Sequence, residues 1–365
     1  MKTVEQVPEY IRSLIPYEPG KPIEEVEREY GIAHSVKLAS NENPLGPSPK
    51  ALAAIRAKLD QLHLYPDGDC FYLKNRLAKK LAVAPENLIF GNGSNEIIEL
   101  AARTFLRPGD EAVMAEQAFV VYQLIVQAVG GKSKQVPLRN FTHDLNAIAE
   151  AVSPQTRMVF LANPNNPTGT IFRRDEWDRF LDKVSAGVLL IVDEAYFEYV
   201  QDAGYPDSLK YHAEGRAILT LRTFSKLYGL AGLRIGYGVA PKELISMMQR
   251  VRQPFNVNAA AQWAALAALD DVDHVRRSLE VNRQGLDYLQ SEFAKLSLAH
   301  VPSHGNFILV RVGKGQEIFQ QLLTQGVIVR PMGAYKFPEY VRVTVGTMEE
   351  NRKFIDALER VIKNF

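Results

Sequence analysis

Val188-Leu189-Leu190-Ile191-Val192-Asp193-Glu194 is the segment most indicative of the fold class, because five apolar residues run directly into two acids. A short continuous apolar run is typical of a strand that is buried on both faces, as in a parallel sheet. Similar runs recur between about residues 85 and 240, separated by helical patterns such as Asn95–Phe105 and Arg174–Val184. We therefore predict an α/β doubly wound fold, a three-layer α/β/α domain with a mainly parallel sheet. Its strands are predicted at Asn87–Phe90, Glu111–Ala115, Lys134–Leu138, Met158–Ala162, Val188–Val192, Ile218–Leu221 and Ile235–Val239.

The pattern changes after about residue 255, which predicts a second, smaller α+β domain. A long helical region, Ala259–Lys295, is followed by short runs that alternate apolar and polar residues, and Met348–Ile362 forms a closing helix. Alternation is typical of a half-exposed sheet. The predicted strands are Phe307–Val312, Val327–Arg330 and Val341–Val345. We expect residues 40–255 to form the large domain, and residues 1–39 and 256–365 to form an N-terminal arm and the small domain.

Composition excludes several classes of protein. The 365 residues are 46% hydrophobic and 23% charged with a net charge of +1, which argues against nucleic acid or an anionic membrane as the main partner. Cys70 is the single cysteine, so we expect no disulfide. Among the seven histidines only His300 and His304 have the H-x-x-x-H spacing, and no cysteine adds to them, so we expect no metal. The N-terminal residues contain no apolar signal segment, so we expect a cytoplasmic protein.

The first predicted strand ends in a turn that suits phosphate. In open α/β sheets ligands bind at the carboxyl ends of the strands. Asn87–Phe90 is followed by Gly91-Asn92-Gly93-Ser94-Asn95-Glu96, which opens a helix. Glycines with free backbone N–H groups at a helix N-terminus form a phosphate cradle, although a capped turn is an equal alternative. Glu96 occupies the third glycine position of the dinucleotide fingerprint, which argues against a nicotinamide dehydrogenase.

Two further strand ends carry an amide-rich turn and a carboxylate. Met158–Ala162 leads into Asn163-Pro164-Asn165-Asn166-Pro167-Thr168-Gly169, a composition that predicts a turn whatever its function. Asp193 follows the run Val188–Val192, so its carboxylate is expected to be partly buried and to need a cationic partner. The alternative for Asp193 is a helix N-cap.

The fourth strand end carries cations and hydroxyls. Ile218–Leu221 leads into Thr223-Phe224-Ser225-Lys226-Leu227-Tyr228-Gly229, with Arg234 eight positions beyond Lys226. A lysine and an arginine near two hydroxyls can bind an oxyanion, whereas a lysine taken alone is usually solvated. One cofactor explains all four ends together. Pyridoxal 5′-phosphate (PLP) needs a lysine for its Schiff base, a carboxylate at its ring nitrogen and a phosphate cradle.

These motifs, in this order, resemble those of the fold type I PLP-dependent aminotransferases, and the resemblance spans essentially the whole chain. Two segments near the N-terminus, Pro16–Pro22 and Ala39–Pro47, and two later segments, Pro254–Asn258 and Val341–Thr347, are more specifically similar to the histidinol-phosphate aminotransferases. The resemblance implies a cytoplasmic homodimer that acts in histidine biosynthesis.

The resemblance also implies a role for each matching residue. Lys226 would hold PLP and then act as the general acid–base, Asp193 would pair with the ring nitrogen, and Tyr196 would hydrogen-bond the ring oxygen. Phe119 would stack on the ring, although relatives often carry tyrosine there. Tyr65 would reach the phosphate in the neighbouring subunit. The cofactor-binding set is Gly93, Ser94, Asn95, Phe119, Asn166, Asp193, Tyr196, Thr223, Ser225, Lys226, Arg234 and Tyr65.

The implied substrate-binding residues are Tyr17, Asn43, Arg330 and Arg342. Because Val341, Val343 and Val345 share one side of a strand, Arg342 must point to the other. The resemblance implies that its guanidinium grips the anionic end of the substrate. The implied reaction moves the amino group of L-histidinol phosphate to 2-oxoglutarate, which gives imidazole acetol phosphate and L-glutamate.

Several alternatives remain open on sequence alone. An aromatic amino-acid aminotransferase or a threonine-phosphate decarboxylase of the same fold would carry the same cofactor residues. A PLP-sensing regulator would need a DNA-binding domain, which the 39 residues before Ser40 cannot hold.

Overall fold

The computed structural model describes residues 1–17 and 20–363, so Glu18 and Pro19 of the Pro16–Pro22 segment lie outside the described residues. The α-helices are α1 (Lys2–Glu5), α2 (Glu9–Arg12), α3 (Ile23–Tyr30), α4 (Pro49–Arg56), α5 (Phe71–Leu81), α6 (Ser94–Phe105), α7 (Val121–Ala128), α8 (Leu145–Ala151), α9 (Arg174–Lys183), α10 (Lys242–Gln249), α11 (Ala259–Ala268), α12 (Val272–Lys295), α13 (Gly315–Thr324) and α14 (Met348–Ile362). Short 3₁₀ helices lie at Leu59–Gln61, Pro85–Asn87, Phe197–Tyr199, Ser208–Glu214, Ala231–Leu233 and Gly333–Tyr335.

The strands, also numbered in chain order, are β1 (Val36–Lys37), β2 (Leu88–Gly91), β3 (Glu111–Ala115), β4 (Lys132–Val136), β5 (Thr156–Ala162), β6 (Leu189–Asp193), β7 (Ile218–Thr223), β8 (Gly236–Val239), β9 (His300–Val301), β10 (Phe307–Arg311), β11 (Val327–Ile328), β12 (Arg330–Pro331) and β13 (Tyr340–Thr344).

A seven-stranded sheet with the order β2-β8-β7-β6-β5-β3-β4 forms the centre of the large domain. The pairs β3–β4, β3–β5, β5–β6 and β6–β7 are parallel, and β8 runs antiparallel to both β2 and β7. Strands β5, β6 and β7 are buried at nearly every position, as the continuous apolar runs predict. One hydrophobic cluster packs α6, α7 and α10 on one face of the sheet, and another packs α8 and α9 on the opposite face. The predicted three-layer α/β/α fold with a mainly parallel sheet is confirmed.

A four-stranded antiparallel sheet with the order β12-β13-β10-β9 forms the smaller domain. Helices α12, α13 and α14 cover one face through a shared apolar cluster. The prediction that this sheet is half exposed is wrong, since β10 is buried at its first four positions and β13 at its last four. Its second face is also covered, because Arg342 of β13 donates to Ala39 O of the arm and to Asn166 Oδ1 of the large domain.

Two other predicted elements differ from the structure. The helical region predicted at Ala259–Lys295 is two helices, because Asp271 caps α12 by accepting from the backbone N–H of His274. The strand predicted at Val327–Arg330 is split. Its first half, β11, pairs in parallel with β1 of the arm, whereas its second half, β12, joins β13.

The N-terminal residues cross both domains. Helix α2 lies against α7, where Gln127 Nε2 donates to Tyr10 O over 3.0 Å. Strand β1 then pairs with β11 of the small domain, and the chain continues into Ala39–Asn43 between the two sheets. In the part of the chain that the structure describes, no helix is both long and apolar enough to cross a lipid bilayer.

Candidate active site

The carboxyl ends of β5, β6 and β7 lie side by side, with Ala162 paired to Asp193 and Asp193 paired to Leu221. A cavity of about 220 Å³ lies beyond these ends and is closed on its other side by β12 and β13. Its lining is Tyr17, Gly20, Ala39, Ser40, Asn41, Ser94, Asn95, Phe119, Tyr122, Ala162, Pro164, Asn166, Asp193, Ala195, Tyr196, Thr223, Ser225, Lys226, Arg234, Arg330, Tyr335 and Arg342.

Asp193 is the last residue of β6 and presents a buried carboxylate to the cavity. Tyr122 donates its hydroxyl to Asp193 Oδ2 over 2.6 Å, and the backbone N–H of Ala195 donates to Oδ1 over 3.1 Å. Burial raises the pKa of Asp193, whereas both hydrogen bonds and the charge of Lys226 act in the opposite direction. The negative charge of the carboxylate is therefore only partly compensated by its surroundings, and a cation in the cavity would stabilise the charged form.

Lys226 lies in the loop after β7, and its Nζ donates to Ser40 O over 3.0 Å. Burial, together with the nearby guanidinium groups of Arg342 and Arg234, lowers the pKa of the ammonium to about 7. The charges of Glu42 and Asp193 partly oppose this shift. An amine that is half neutral near pH 7 is both a nucleophile and a proton carrier.

The turn after β2 forms a tight cradle beside Arg234. Gly93 has a φ of +79°, and a Cβ on it would collide with Arg234 Nη2. Gly236 of β8 lies beneath the turn, where a Cβ would come within 2.5 Å of the backbone nitrogen of Ser94. Both positions therefore require glycine. The N-terminus of α6 points its free N–H groups at the cavity, and with Arg234 it forms a site for an anion.

Asn256 fastens this cradle from outside. Its Nδ2 donates to Phe90 O over 3.1 Å and to Glu96 Oε2 over 2.7 Å, and Glu96 accepts from the backbone N–H of Asn92. The Pro254–Asn258 segment therefore holds the turn in place without lining the cavity.

Two side chains that line the cavity with Lys226 already accept a hydrogen bond on their oxygen atoms, so their own N–H or O–H groups remain for a ligand. The Tyr196 hydroxyl accepts from Asn41 Nδ2 over 2.8 Å, so its own proton is available to the cavity. Asn166 Oδ1 accepts from Arg342 Nη1, so the amide N–H groups of Asn166 are the donors that remain. Burial raises the pKa of Tyr196 to about 12, which keeps its hydroxyl protonated.

A second cationic region lies at the opposite end of the cavity. The buried guanidinium of Arg342 uses Nη2 to donate to Ala39 O over 2.7 Å, and its Nε lacks a hydrogen-bond partner among the residues that the structure describes. Arg330 lies over the ring of Tyr17, with its Cζ 5.7 Å from the ring centroid. Burial lowers the pKa of Arg342, and the charge of Arg330 acts in the same direction. This end of the cavity can therefore bind an anion.

These features fit PLP. Its phosphate matches the cradle at α6, and its ring nitrogen, when protonated, matches the incompletely neutralised Asp193. Its ring oxygen matches the donors of Tyr196 and Asn166, and its aldehyde matches the amine of Lys226. The second cationic region remains available for the anionic part of a substrate.

The cavity brings together nearly all of the residues that the sequence singles out. Three are not in its lining. Gly93 lies behind Arg234, whose guanidinium is so close that a Cβ at position 93 would collide with it. Asn43 is buried elsewhere and donates to Leu227 O and Ser278 Oγ, so its amide is engaged in holding the Lys226 loop. Tyr65 is 84% exposed on the surface, where it stacks on Phe255 at 4.9 Å.

Three of the lining residues that sequence reasoning missed contact or lie beside the predicted ones. Tyr122 binds Asp193, Asn41 binds Tyr196, and Tyr335 lies beside Arg342 and Arg330. Tyr122 gives no local signal, because it stands in the apolar run 118–126 and looks like a core residue. Asn41 could have been found, since it lies in the Ala39–Pro47 segment and asparagine tolerates the positive φ of 56° that this position adopts.

Comparison with known proteins identifies the family of this chain. The family model for aminotransferase class I and II matches residues 33–358. A histidinol-phosphate aminotransferase from Moorella thermoacetica is 53% identical over 362 residues, which cover 99% of this chain and 94% of the relative. Another from Caldicellulosiruptor saccharolyticus is 47% identical and covers 97% of this chain and 99% of the relative.

Solved structures give the same result for the fold. Histidinol-phosphate aminotransferase from Sinorhizobium meliloti, in complex with pyridoxal-5′-phosphate, matches with a TM-score of 0.91 at 27% identity, covering 98% of each chain. Aspartate aminotransferase from Thermus thermophilus with maleate matches with a TM-score of 0.81 at 24% identity, covering 97% of this chain and 99% of that one. The second match bears on the fold alone.

Proposed function

This chain belongs to the class I and II aminotransferase family and, within it, to the histidinol-phosphate aminotransferases; from that premise we propose that it transfers the amino group of L-histidinol phosphate to 2-oxoglutarate. One observation carries the proposal. A near-neutral buried amine, Lys226, lies between two separate anion-binding regions, one for a cofactor phosphate and one around Arg342 for a substrate anion.

PLP, when bound, supplies an aldehyde that accepts the amino group and a conjugated ring that delocalises negative charge from the substrate. The residues of the chain hold and orient this group. The residues that would bind its phosphate are Ser94, Asn95, Thr223, Ser225 and Arg234, which line the cavity. Arg234 would supply the charge, and the N-terminus of α6 would supply N–H donors.

Other residues hold the ring and move the proton. Phe119 would pack on the ring face, and Asp193 would accept a hydrogen bond from the protonated ring nitrogen. Tyr196 and Asn166 would donate to the ring oxygen. Lys226 would act as the general acid–base that moves a proton at the substrate Cα. Its low pKa suits this step, because the amine can release the proton as readily as it takes it up.

Arg342 is proposed to serve both substrates in turn, with Arg330 and Tyr17. The planar fork of a guanidinium can bind a phosphate or a carboxylate in the bidentate manner, so one site can hold the phosphate monoester and then the dicarboxylate. The unpartnered Nε of Arg342 supports this role, because a buried N–H donor without an acceptor is costly until a ligand supplies one.

A half-reaction experiment tests the proposal. The PLP form is mixed with histidinol phosphate or with phenylalanine, and conversion to the pyridoxamine form is followed by absorbance. We expect rapid conversion with histidinol phosphate, followed by return to the PLP form on addition of 2-oxoglutarate. Conversion with phenylalanine but not with histidinol phosphate would refute the substrate assignment. The same half-reaction is measured for Arg342→Met, which removes the proposed anion-binding guanidinium. Arg311→Met is its control, because Arg311 is an exposed arginine on β10.

We also propose a homodimer in which Tyr65 reaches the cofactor phosphate of the partner. Exposed apolar side chains surround Tyr65, which supports burial of this surface against a second copy. They are Leu62, Leu64, Phe71, Tyr72 and Phe255. Mixing inactive Lys226→Ala with weakened Tyr65→Ala should restore activity, because each hybrid then contains one intact site. Absence of any recovery in hybrids isolated as dimers would refute shared sites.

Finally, we propose that the protein acts in the cytoplasm in histidine biosynthesis, as the resemblance to biosynthetic enzymes implies. Histidinol phosphate already contains the imidazole and amine of histidine. Growth of a histidine-requiring strain that lacks this transaminase, on expression of the chain, would test the assignment.

A further inference from the structure

Tyr122 touches two of the groups proposed to hold the cofactor ring. It lies in the first turn of α7, and its hydroxyl is 2.6 Å from Asp193 Oδ2. Its ring meets the Phe119 ring edge-on, with centroids 5.7 Å apart and planes at 88°. Tyr122 therefore connects the residue beneath the ring with the carboxylate at its nitrogen.

We propose that Tyr122 is the positioning residue for Asp193, holding its carboxylate in the orientation and charge state that the ring nitrogen of PLP requires. This inference rests on the proposed function and deepens it, because it assigns a role at the same site to a residue that the sequence motifs do not include.

The geometry leaves Tyr122 little freedom. Its side chain is 1% exposed, and its ring stacks on Phe160 with centroids 5.0 Å apart and planes only 13° from parallel. Stacked on one face and met edge-on by Phe119, the ring has one orientation. The hydroxyl direction is thereby fixed, and it points at Asp193.

The bonding of Asp193 shows what this fixed donor achieves. Oδ2 accepts from Tyr122, and Oδ1 accepts from the backbone N–H of Ala195. With one donor on each oxygen, rotation of the carboxylate would break both bonds. The lone pairs that remain face the cavity, where the ring nitrogen would lie.

Simple packing does not explain a tyrosine at position 122. Its neighbours in the core are apolar, among them Met114, Phe160 and Val126, and a phenylalanine would fill the same volume. Burying a hydroxyl costs free energy unless it has a partner, and Asp193 supplies that partner. Burial and the charge of Asp193 raise the pKa of Tyr122 well above its usual value, so the hydroxyl remains a donor. Its hydrogen bond in turn lowers the pKa of Asp193.

A cofactor analogue separates this role from general structural damage. We compare the affinity of Tyr122→Phe and of the wild-type protein for PLP and for 1-deaza-PLP, in which carbon replaces the ring nitrogen. The expected result is about a tenfold loss of affinity for PLP, the size of one charge-assisted hydrogen bond. The affinity for 1-deaza-PLP should be unchanged, because that ring has no nitrogen for Asp193 to hold.

Tyr205→Phe is the matched control. Tyr205 is also buried and donates a 2.6 Å hydrogen bond, but to the backbone oxygen of Asn163 and not to Asp193. This variant should leave the ratio of the two affinities unchanged. In an Asp193→Asn background, Tyr122→Phe should cause no further selective loss of PLP affinity, which is the result of a double-mutant cycle for coupled residues.

An equal loss for both ligands, or no loss for either, would overturn the inference, since the hydroxyl would then serve only packing. Failure of the proposed function has a different signature. In that case the wild-type protein would bind PLP and show the same preference over 1-deaza-PLP, yet would not accept the amino group of histidinol phosphate.

Discussion

Asn41 donates its side-chain amide to the hydroxyl of Tyr196 over 2.8 Å, and this bond determines which way the tyrosine proton points. The same amide group accepts from Thr344 Oγ1 of β13, so Asn41 joins the two domains at the cavity. Since the tyrosine oxygen already accepts one hydrogen bond, its proton is directed to a ligand. A donor at the cofactor's ring oxygen stabilises the deprotonated form of the bound chromophore.

Removal of the Asn41 amide should therefore raise the pKa at which the bound chromophore changes colour. Asn41→Gly is the appropriate variant, because Asn41 has a φ of +56° and glycine accepts this conformation without strain. Absorbance titration of the PLP form measures the pKa directly. Asn41→Asp is the companion variant. Its carboxylate accepts from Tyr196 and reverses the bond, so it should raise the pKa further, and a pKa equal to the wild-type value in both variants would contradict the interpretation.

Lys226 should capture PLP with a rate that rises with pH and levels off above about pH 7, because only the neutral amine attacks an aldehyde. The rate is measured by stopped-flow absorbance after cofactor-free protein is mixed with PLP. Arg342→Met should move the midpoint to higher pH, since the guanidinium of Arg342 disfavours the ammonium form. Arg311→Met should leave the midpoint in place. A rate that continues to rise towards the ordinary lysine pKa would show that the amine is not desolvated.

Gly93→Ala should lower the affinity for PLP by tenfold or more, because the new methyl group displaces Arg234 from the cradle. Gly109→Ala is a control of the same backbone type, since Gly109 has a φ of +93° with nothing within 4 Å of a Cβ. Both variants should lose roughly 1–3 kcal/mol in the free energy of unfolding through backbone strain. Equilibrium dialysis and urea unfolding separate the two effects. An equal loss of PLP affinity in both variants would exclude the collision with Arg234 as the cause.

Glu198→Gln should stabilise the protein more at pH 8 than at pH 5.5. Burial raises the pKa of Glu198 from 4.5 to about 7, and its Oε2 has no hydrogen-bond partner within the described residues. Between these two pKa values the folded form holds a proton that the unfolded form has released, so the free energy of unfolding falls as the pH rises through this window. We expect the gain at pH 8 to exceed the gain at pH 5.5 by about 1–2 kcal/mol in urea unfolding of the cofactor-free protein.

The exposed control Glu150→Gln should change the free energy of unfolding by less than about 0.5 kcal/mol at both pH values. An equal gain for Glu198→Gln at both pH values would contradict the raised pKa.

The large sheet was predictable because its inner strands are buried on both faces and therefore consist of apolar residues. The edge strand β4 shows the limit of this signal. Its residues alternate between exposed and half-buried, so the apolar run suggested Lys134–Leu138, whereas the strand is Lys132–Val136. In the small domain, alternation wrongly predicted an exposed face. The polar residues Arg342 and Thr344 are buried there because they bind the other domain.

The cavity was predictable to the extent that its residues follow strands or stand in recognisable motifs. Lys226 and Asp193 follow this rule. Tyr122 does not, because it projects from an apolar helix and meets Asp193 only after the chain has folded. Asn43 shows another limit, since a motif position predicted to bind substrate lies outside the cavity lining, where its amide donates to Leu227 O.

Arg342 belongs to the small-domain sheet, yet it donates to Ala39 O of the N-terminal arm and to Asn166 Oδ1 of the large domain. Separation of the two domains would withdraw the guanidinium from the cavity and break its bond with Asn166. The affinity of the cavity for an anionic ligand and the free energy that holds the two domains together are therefore thermodynamically coupled. An amine with a second negative group would add a further bond to the guanidinium, whereas an amine without one would leave Asn166 as the large-domain residue that Arg342 binds.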